Sequence, residues 1–261
     1  VTGVQTCALP ICLSDEIPYA CINKSWTDEQ RRIVWCLISK ARHRLEVDLS
    51  PIVATAMIIL QRYFRKPDCQ AYDLFILMNA AMFTACKAAD CFRPIQVVYR
   101  ELSRICQTAP SPKIRSMLGT REKQDGEHEK QDIIEITKAE LELLKSIDFD
   151  FDIDTPFCHF DRWKQTLISV MPDESLIRVC NSIIVDICLM ICSEFYLDVP
   201  PEVAAAAATE GSISSDLIPT ETLKWLNSVK EKYGTQLFSL ALESIQNEKK
   251  ITAFQQPVKR K

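Results

Sequence analysis

Apolar residues recur every three or four positions along most of this chain, a spacing that predicts helices rather than strands. The first predicted helix runs from Thr27 to Leu45, with Ile33, Leu37 and Ala41 on one face and Trp35 beside them. Ser50-Pro51 supplies an N-cap and a first-turn proline for a second helix, Pro51 to Arg65, which stops before Pro67. Leu74 to Ala89 is almost wholly apolar, broken only by Asn79, Thr84 and Lys87, and predicts a helix buried on nearly every side. Arg93-Pro94 opens a fourth helix, ending near Cys106. Residues 107–130 are polar and of mixed charge, which predicts a mobile, exposed loop with at most a helical turn at Ile114–Leu118. A fifth helix, Asp132 to Ile147, places Ile133, Ile136, Glu140, Leu144 and Ile147 on one stripe.

The alternation Asp148-Phe149-Asp150-Phe151-Asp152-Ile153-Asp154 has the look of a strand, but one strand has nothing to pair with. Its aspartates resemble a calcium loop. Ile153 stands where the required glycine should be, and no bidentate Glu follows at the right distance. The segment is read as an extended linker that tucks Phe149 and Phe151 against the helices.

After Pro156 the helical pattern begins again. Helices are predicted over Phe160–Val170, over Glu174 to about Glu194 with Asp173 as cap, and over Glu202–Thr209, ended by Gly211. Two more follow at Glu221–Lys232 and Thr235–Glu248. The long helix turns Leu176, Ile183, Ile187 and Met190 to one side, and the Ala204–Ala208 run suits close helix packing. The expected architecture is all-α, two consecutive five-helix bundles meeting near residue 155.

Composition narrows the function. Only five Gly occur, in keeping with an all-helical chain. Lys and Arg number 31 against 35 Asp and Glu, a net charge of −4, so no basic excess exists to neutralise phosphates and no direct nucleic-acid partner is expected. No stretch reads as a membrane span, and no membrane partner is expected. Of 12 Cys, Cys36, Cys86, Cys180, Cys188 and Cys192 lie inside apolar helices. With no C-x-x-C and with His43, His128 and His159 scattered, the thiols read as reduced core residues, and no metal or cofactor is expected. No Gly-rich phosphate loop or catalytic Ser/His/Asp or Cys/His set is present, so no enzyme activity is expected.

The most informative residues are two charges in apolar surroundings. Lys87 is one cation in a buried helix, and Glu140 is a carboxylate on the apolar line of another. Such charges are costly unless they reach water or each other. Together they suggest a partner surface.

At this point four segments resemble the cyclins, in particular the transcription-associated branch. Val53-Ala54-Thr55-Ala56 with Leu60-Gln61-Arg62-Tyr63-Phe64 is similar to that family's second cyclin-box helix. Ala80-Ala81 with Ala85-Cys86-Lys87 resembles the third. Glu140, then Leu144-Lys145-Ser146-Ile147-Asp148-Phe149-Asp150-Phe151, resembles the end of the fifth. Asp198-Val199-Pro200-Pro201-Glu202-Val203-Ala204 resembles an element of the second box. The resemblance implies a first box over 27–155, a degenerate second box over 156–250 and a polar basic tail over 251–261. It also implies a regulatory subunit with no chemistry of its own, which binds and activates a cyclin-dependent kinase in transcription or RNA-processing control. The alternative is a cyclin-fold adaptor of the transcription machinery with no kinase.

Carried over to this chain, Lys87 and Glu140 match the family's ion pair against the kinase, and Leu144, Phe149 and Phe151 its apolar contacts. Where the family carries Glu-Glu after the lysine, this chain has Ala88-Ala89-Asp90. Where mitotic cyclins carry a substrate groove, it has Asp28-Glu29-Gln30-Arg31-Arg32, which speaks against R-x-L docking, and Asp28 and Arg32 are expected to matter little for kinase binding. Ser111-Pro112 is a candidate proline-directed phosphosite, and Lys259-Arg260-Lys261, with the family likeness, suggests a nuclear location. Val1–Ile11 reads as a translated sequencing adapter. With no initiator Met, the true N-terminus is expected to be missing, and residues 1–26 are set aside as that start plus an extension.

Overall fold

The structure is a computed structural model that describes residues 26–69, 71–108, 114, 118, 126–169, 171–213 and 218–254. Ten α-helices and no strand occur among the described residues. The fold is all-α, and its packing divides the chain into two units between Ile153 and Asp154.

The N-terminal unit holds α1 (Asp28–Leu45), α2 (Thr55–Arg65), α3 (Leu74–Ala88), α4 (Ile95–Gln107) and α5 (Gly126–Ser146). A capping box starts α1: the Thr27 hydroxyl accepts from the Gln30 N–H, and the Gln30 side chain accepts from the Thr27 N–H. Asp28 and Arg32, expected to matter little, are part of this start. Asp28 pairs with Arg31, which also donates to the Trp26 carbonyl, and Arg31 and Arg32 are both buried. Trp26 stacks on Phe64 of α2 at 4.3 Å between ring centroids. A π-helical turn, Leu49–Ala54, leads straight into α2 where an N-cap at Ser50 was expected. Pro51, which has no N–H to donate, lies in that opening turn, where few intrahelical partners are needed.

α3 is the axis of this unit and packs against α1, α2, α4 and α5. Two of its polar residues turn back onto their own helix. Asn79 donates to the Phe75 carbonyl at 2.8 Å and Thr84 to the Ala80 carbonyl at 2.9 Å, while the buried Asn79 Oδ1 meets no donor among the described residues. The loop before α5 was expected to be exposed from its polarity, and at two residues it is not. Ile114 and Leu118 are buried. The Leu118 N–H bonds the Ile114 carbonyl, and the Leu118 carbonyl accepts from Phe75 at 3.1 Å, covering one of α3's unpaired first-turn donors. α5 begins six residues earlier than its apolar stripe indicated. Residues 126–131 carry no core-facing pattern, yet Glu127 and Glu129 suit a helix N-terminus. Asp132, expected at the helix start, is instead buried within it and accepts from the Tyr99 hydroxyl at 3.0 Å.

The C-terminal unit holds α6 (Pro156–Ile168), α7 (Asp173–Cys192), α8 (Pro201–Ser212), α9 (Thr220–Tyr233) and α10 (Thr235–Phe254), with a 3-10 turn at Tyr196–Asp198. Here α8 is the axis, surrounded by α6, α7, α9 and α10. Val203 and Ala204–Ala208 are fully buried, and the methyl side chains of the five alanines let four helices approach one backbone. Gly211 does not end α8. The Ser212 hydroxyl donates to Asp186 at 2.8 Å and holds the last turn in place. The chain reverses at Gly234, whose φ of 89° favours glycine. α10 continues through residues read as the start of the tail. By length and composition α7 could cross a membrane, contrary to expectation. Half of that stretch is buried inside this unit, and it carries the charged Asp186.

Asp186 joins three helices. It is buried on α7 and accepts from Ser212 on α8 and from Lys249 on α10 at 2.7 Å. Burial pushes its carboxyl above the usual aspartate range, and the bonds from Lys249 and Ser212 pull it partly back. A raised value means that the folded state holds the proton more tightly than the unfolded one. This group therefore costs stability as pH rises from the ordinary aspartate range through the raised value. Asp186→Asn keeps an acceptor for Ser212 and removes the charge. It should raise the melting temperature at pH 7 to 8, and the gain should shrink as pH falls towards the ordinary aspartate range. Melting curves across that range check this; a gain that grows in acid contradicts it.

Candidate functional site

The site is built where α3 ends against α5. α3 closes with Asp90 in the left-handed region: the Cys91 N–H reaches the Cys86 carbonyl at 2.9 Å and the Asp90 N–H the Lys87 carbonyl at 3.2 Å. This closure leaves Lys87 in the last turn, where the helix dipole favours a cation. Its ammonium forms an ion pair with Glu140 on α5 and lies 4.4 Å from the centroid of the Phe83 ring, one turn back on α3. The two partners are not equivalent. The Glu140 side chain is 9% exposed and Lys87 38% exposed. The carboxylate is taken out of water and depends on the cation, whereas the cation keeps one side open. Alanine at Lys87 would therefore leave a buried carboxylate unpaired, at a cost to the fold that truncating Glu140 does not carry to the same degree. The adjacent Cys86 thiol is pushed up to about 11, chiefly by burial, with Cys91 adding and Arg93 opposing, so it is inert.

The sequence-predicted residues Lys87 and Glu140 are thus in contact, and Leu144 lies half-buried one turn further along α5. Phe149 and Phe151 do not tuck against the helices. They are 54% and 44% exposed, and Ile153 is the residue turned inward. The expected extended linker is a hook made of turns. The Phe149 N–H bonds the Leu144 carbonyl at 2.9 Å and the Asp148 N–H the Lys145 carbonyl, a Schellman closure with Asp148 and Phe149 both at positive φ. The Asp150 carboxylate accepts from the Asp152 N–H, and the Ile153 N–H reaches the Phe151 carbonyl. Lys66 braces the hook, donating to the Lys145 carbonyl at 2.6 Å and standing 3.7 Å from the Asp148 carboxylate. Ser111 lies outside the described residues.

Sequence reasoning missed half of the α5 surface. At about 100° per residue, Ile133, Leu144, Leu141 and Ile134 all fall within about 120° on one side of Glu140. Ile133 and Leu144 are half-buried, and Ile134 and Leu141 are exposed. The signal was present: α5 has more apolar residues than one buried stripe uses. Phe92, 63% exposed beyond the end of α3, was also missed. A half-buried ion pair beside an apolar sector is an arrangement for binding a protein. Among the described residues no group of three or more His, Cys, Asp or Glu is placed to hold a metal ion, and no disulfide joins the cysteines.

The comparisons bear on the family and the fold. The sequence pattern of the cyclin N-terminal domain matches residues 12–152, more than half of the chain. No curated protein matches the sequence. Among solved structures, the fold is similar to a chain of the CAK complex from Chaetomium thermophilum bound to ATP-gamma-S. The TM-score is 0.52 at 17% identity, over 86% of this chain and 62% of that one. At that identity the likeness is one of fold, and this chain spans less than two thirds of its neighbour's length. A matching domain pattern over most of the N-terminal unit, carried on the helical fold just described, shows that the chain belongs to the cyclin family.

Proposed function

We propose that this cyclin binds and activates a cyclin-dependent protein kinase, and that it acts in the nucleus in transcription or RNA-processing control. The observation that carries the kinase reading is the Lys87–Glu140 pair at the edge of the α5 apolar sector. The similar fold comes from a complex that binds an ATP analogue, which supports a kinase as the partner. The role in transcription rests on the family branch that the segments resemble. The chain contributes no catalytic group; its part is to bind.

Binding at this face would favour the kinase form whose catalytic lysine, glutamate and magnesium ligands are aligned. Moving a kinase from 1:99 to 99:1 in favour of that form takes about 5.5 kcal/mol of differential binding. The Lys87–Glu140 pair is already formed in the free chain, so it supplies little of that by itself. Most of it falls to apolar contacts, for which the half-buried or exposed Ile134, Leu141, Leu144, Phe149 and Phe151 are the candidates.

The test starts by identifying the kinase that co-purifies with the tagged chain. Its affinity is then measured by calorimetric titration, and its activity with and without the chain. Lys87→Ala and Glu140→Gln should weaken binding by about 30-fold to several thousand-fold for the first and less for the second, with Arg178→Ala, an exposed residue on α7 of the C-terminal unit, as an inert control. Glu140→Gln leaves no charge buried and unpaired, so its melting temperature should stay close to wild type. Wild-type affinity in both variants, or the absence of any kinase partner, would reject the reading and favour the adaptor.

The apolar sector has its own test. Leu141 is exposed, so Leu141→Asp should leave the melting temperature within a degree or two while abolishing kinase stimulation at concentrations that saturate with wild type. Full stimulation by this variant would exclude the outer face of α5 from the interface.

A further inference from the structure

The Lys87 cation is one end of a longer feature. Its ammonium lies over the Phe83 ring, and Phe83 meets Phe92 edge to face at 6.5 Å between centroids. Lys87, Phe83 and Phe92 therefore form a continuous row that leads away from Glu140. Phe92 is the most exposed large apolar side chain among the described residues. Half-exposed Ala88, the last residue of α3, and Ala89, just after it, lie between Lys87 and Phe92 along the chain.

This exposure is held in place by the backbone. The Schellman closure at Asp90 fixes the chain just before Phe92. Arg93 fixes it just after. Its guanidinium donates to the Leu45 carbonyl at 2.7 Å, the Glu46 carbonyl at 3.0 Å and the Phe92 carbonyl at 3.1 Å. Leu45 and Glu46 are the end of α1, so the corner is tied to a second helix. An aromatic ring kept in water by fixed backbone on both sides, continuous with a half-open cation, is already arranged for contact.

We infer that Phe92, seated on Phe83, is a specificity-determining contact for the kinase of the proposed function. It selects a kinase segment that sets an apolar side chain on the ring and an oxygen acceptor against Lys87. The inference rests on that functional reading and extends the interface past the end of α3 towards α4. An acidic or strongly hydrated side chain at the same point on the kinase would lose its water against Phe92 and Ala89 and be disfavoured.

The experiment uses the full chain and the catalytic domain of the kinase that co-purifies with it. Affinity is measured for wild type, Phe92→Ala, Phe92→Leu, Phe92→Asp and Lys87→Ala, together with the melting temperature of each free chain. Phe92→Ala should weaken binding about tenfold and Phe92→Asp more, with Phe92→Leu close to wild type and all three melting with wild type. Wild-type affinity in Phe92→Ala beside a weakened Lys87→Ala overturns this inference and leaves the functional reading standing. Unchanged affinity in both, or failure of any kinase to bind, overturns both. A large loss of melting temperature in Phe92→Ala with affinity retained would show that the chain covers the ring itself, which also overturns the inference.

Discussion

The burial of α3 on nearly every side is the constraint on which the N-terminal unit depends. A helix with four helical neighbours has almost no surface left for water, so each polar group on it must be satisfied within the protein. The Asn79 amide N–H and the Thr84 hydroxyl turn back onto their own helix to meet that demand, and the Asn79 Oδ1 is left as its one exception there. Lys87 cannot, because an ammonium needs an anion or solvent. Its position in the last turn gives it both, Glu140 on one side and open water on the other. The site is where the packing of α3 stops, and its chemistry follows from that boundary.

The C-terminal unit solves the same problem with smaller side chains. α8 is a central helix made of alanines, which brings its neighbours closer and leaves no room for a cation of its own. Its polar cost appears instead at one end, where Asp186 is shared among three helices. Two axes, one bulky and one small, give two bundles with the same plan and little common sequence.

Much of this was legible before any coordinates. The apolar run of α3, the stripe of α5 and the restart after Pro156 carry the all-helical fold, because helical periodicity records which face is buried. Lys87 and Glu140 stood out because an isolated charge on an apolar face has few explanations. Residues whose placement depends on backbone closure were not legible. Phe149 and Phe151 alternate with aspartates as in a strand, and only the left-handed turn at Asp148 sends them into water. The first six residues of α5 were missed because a helix turn without a buried face leaves no apolar trace. Leu118 was missed because its tie to α3 runs through a carbonyl, which any residue carries.

The hook after α5 has a consequence for how this protein tolerates change. Asp148 and Phe149 have φ values of 53° and 58°, a region that costs an ordinary L-residue about 1–2 kcal/mol and that glycine occupies freely. The free protein would be more stable with glycine at either position, so selection or design for thermal stability alone would drift that way. Each such step would return conformational freedom to the segment that displays the two phenylalanines, and the kinase of the proposed function would have to order it again. Heat tolerance and readiness to bind therefore pull against each other at two adjacent residues.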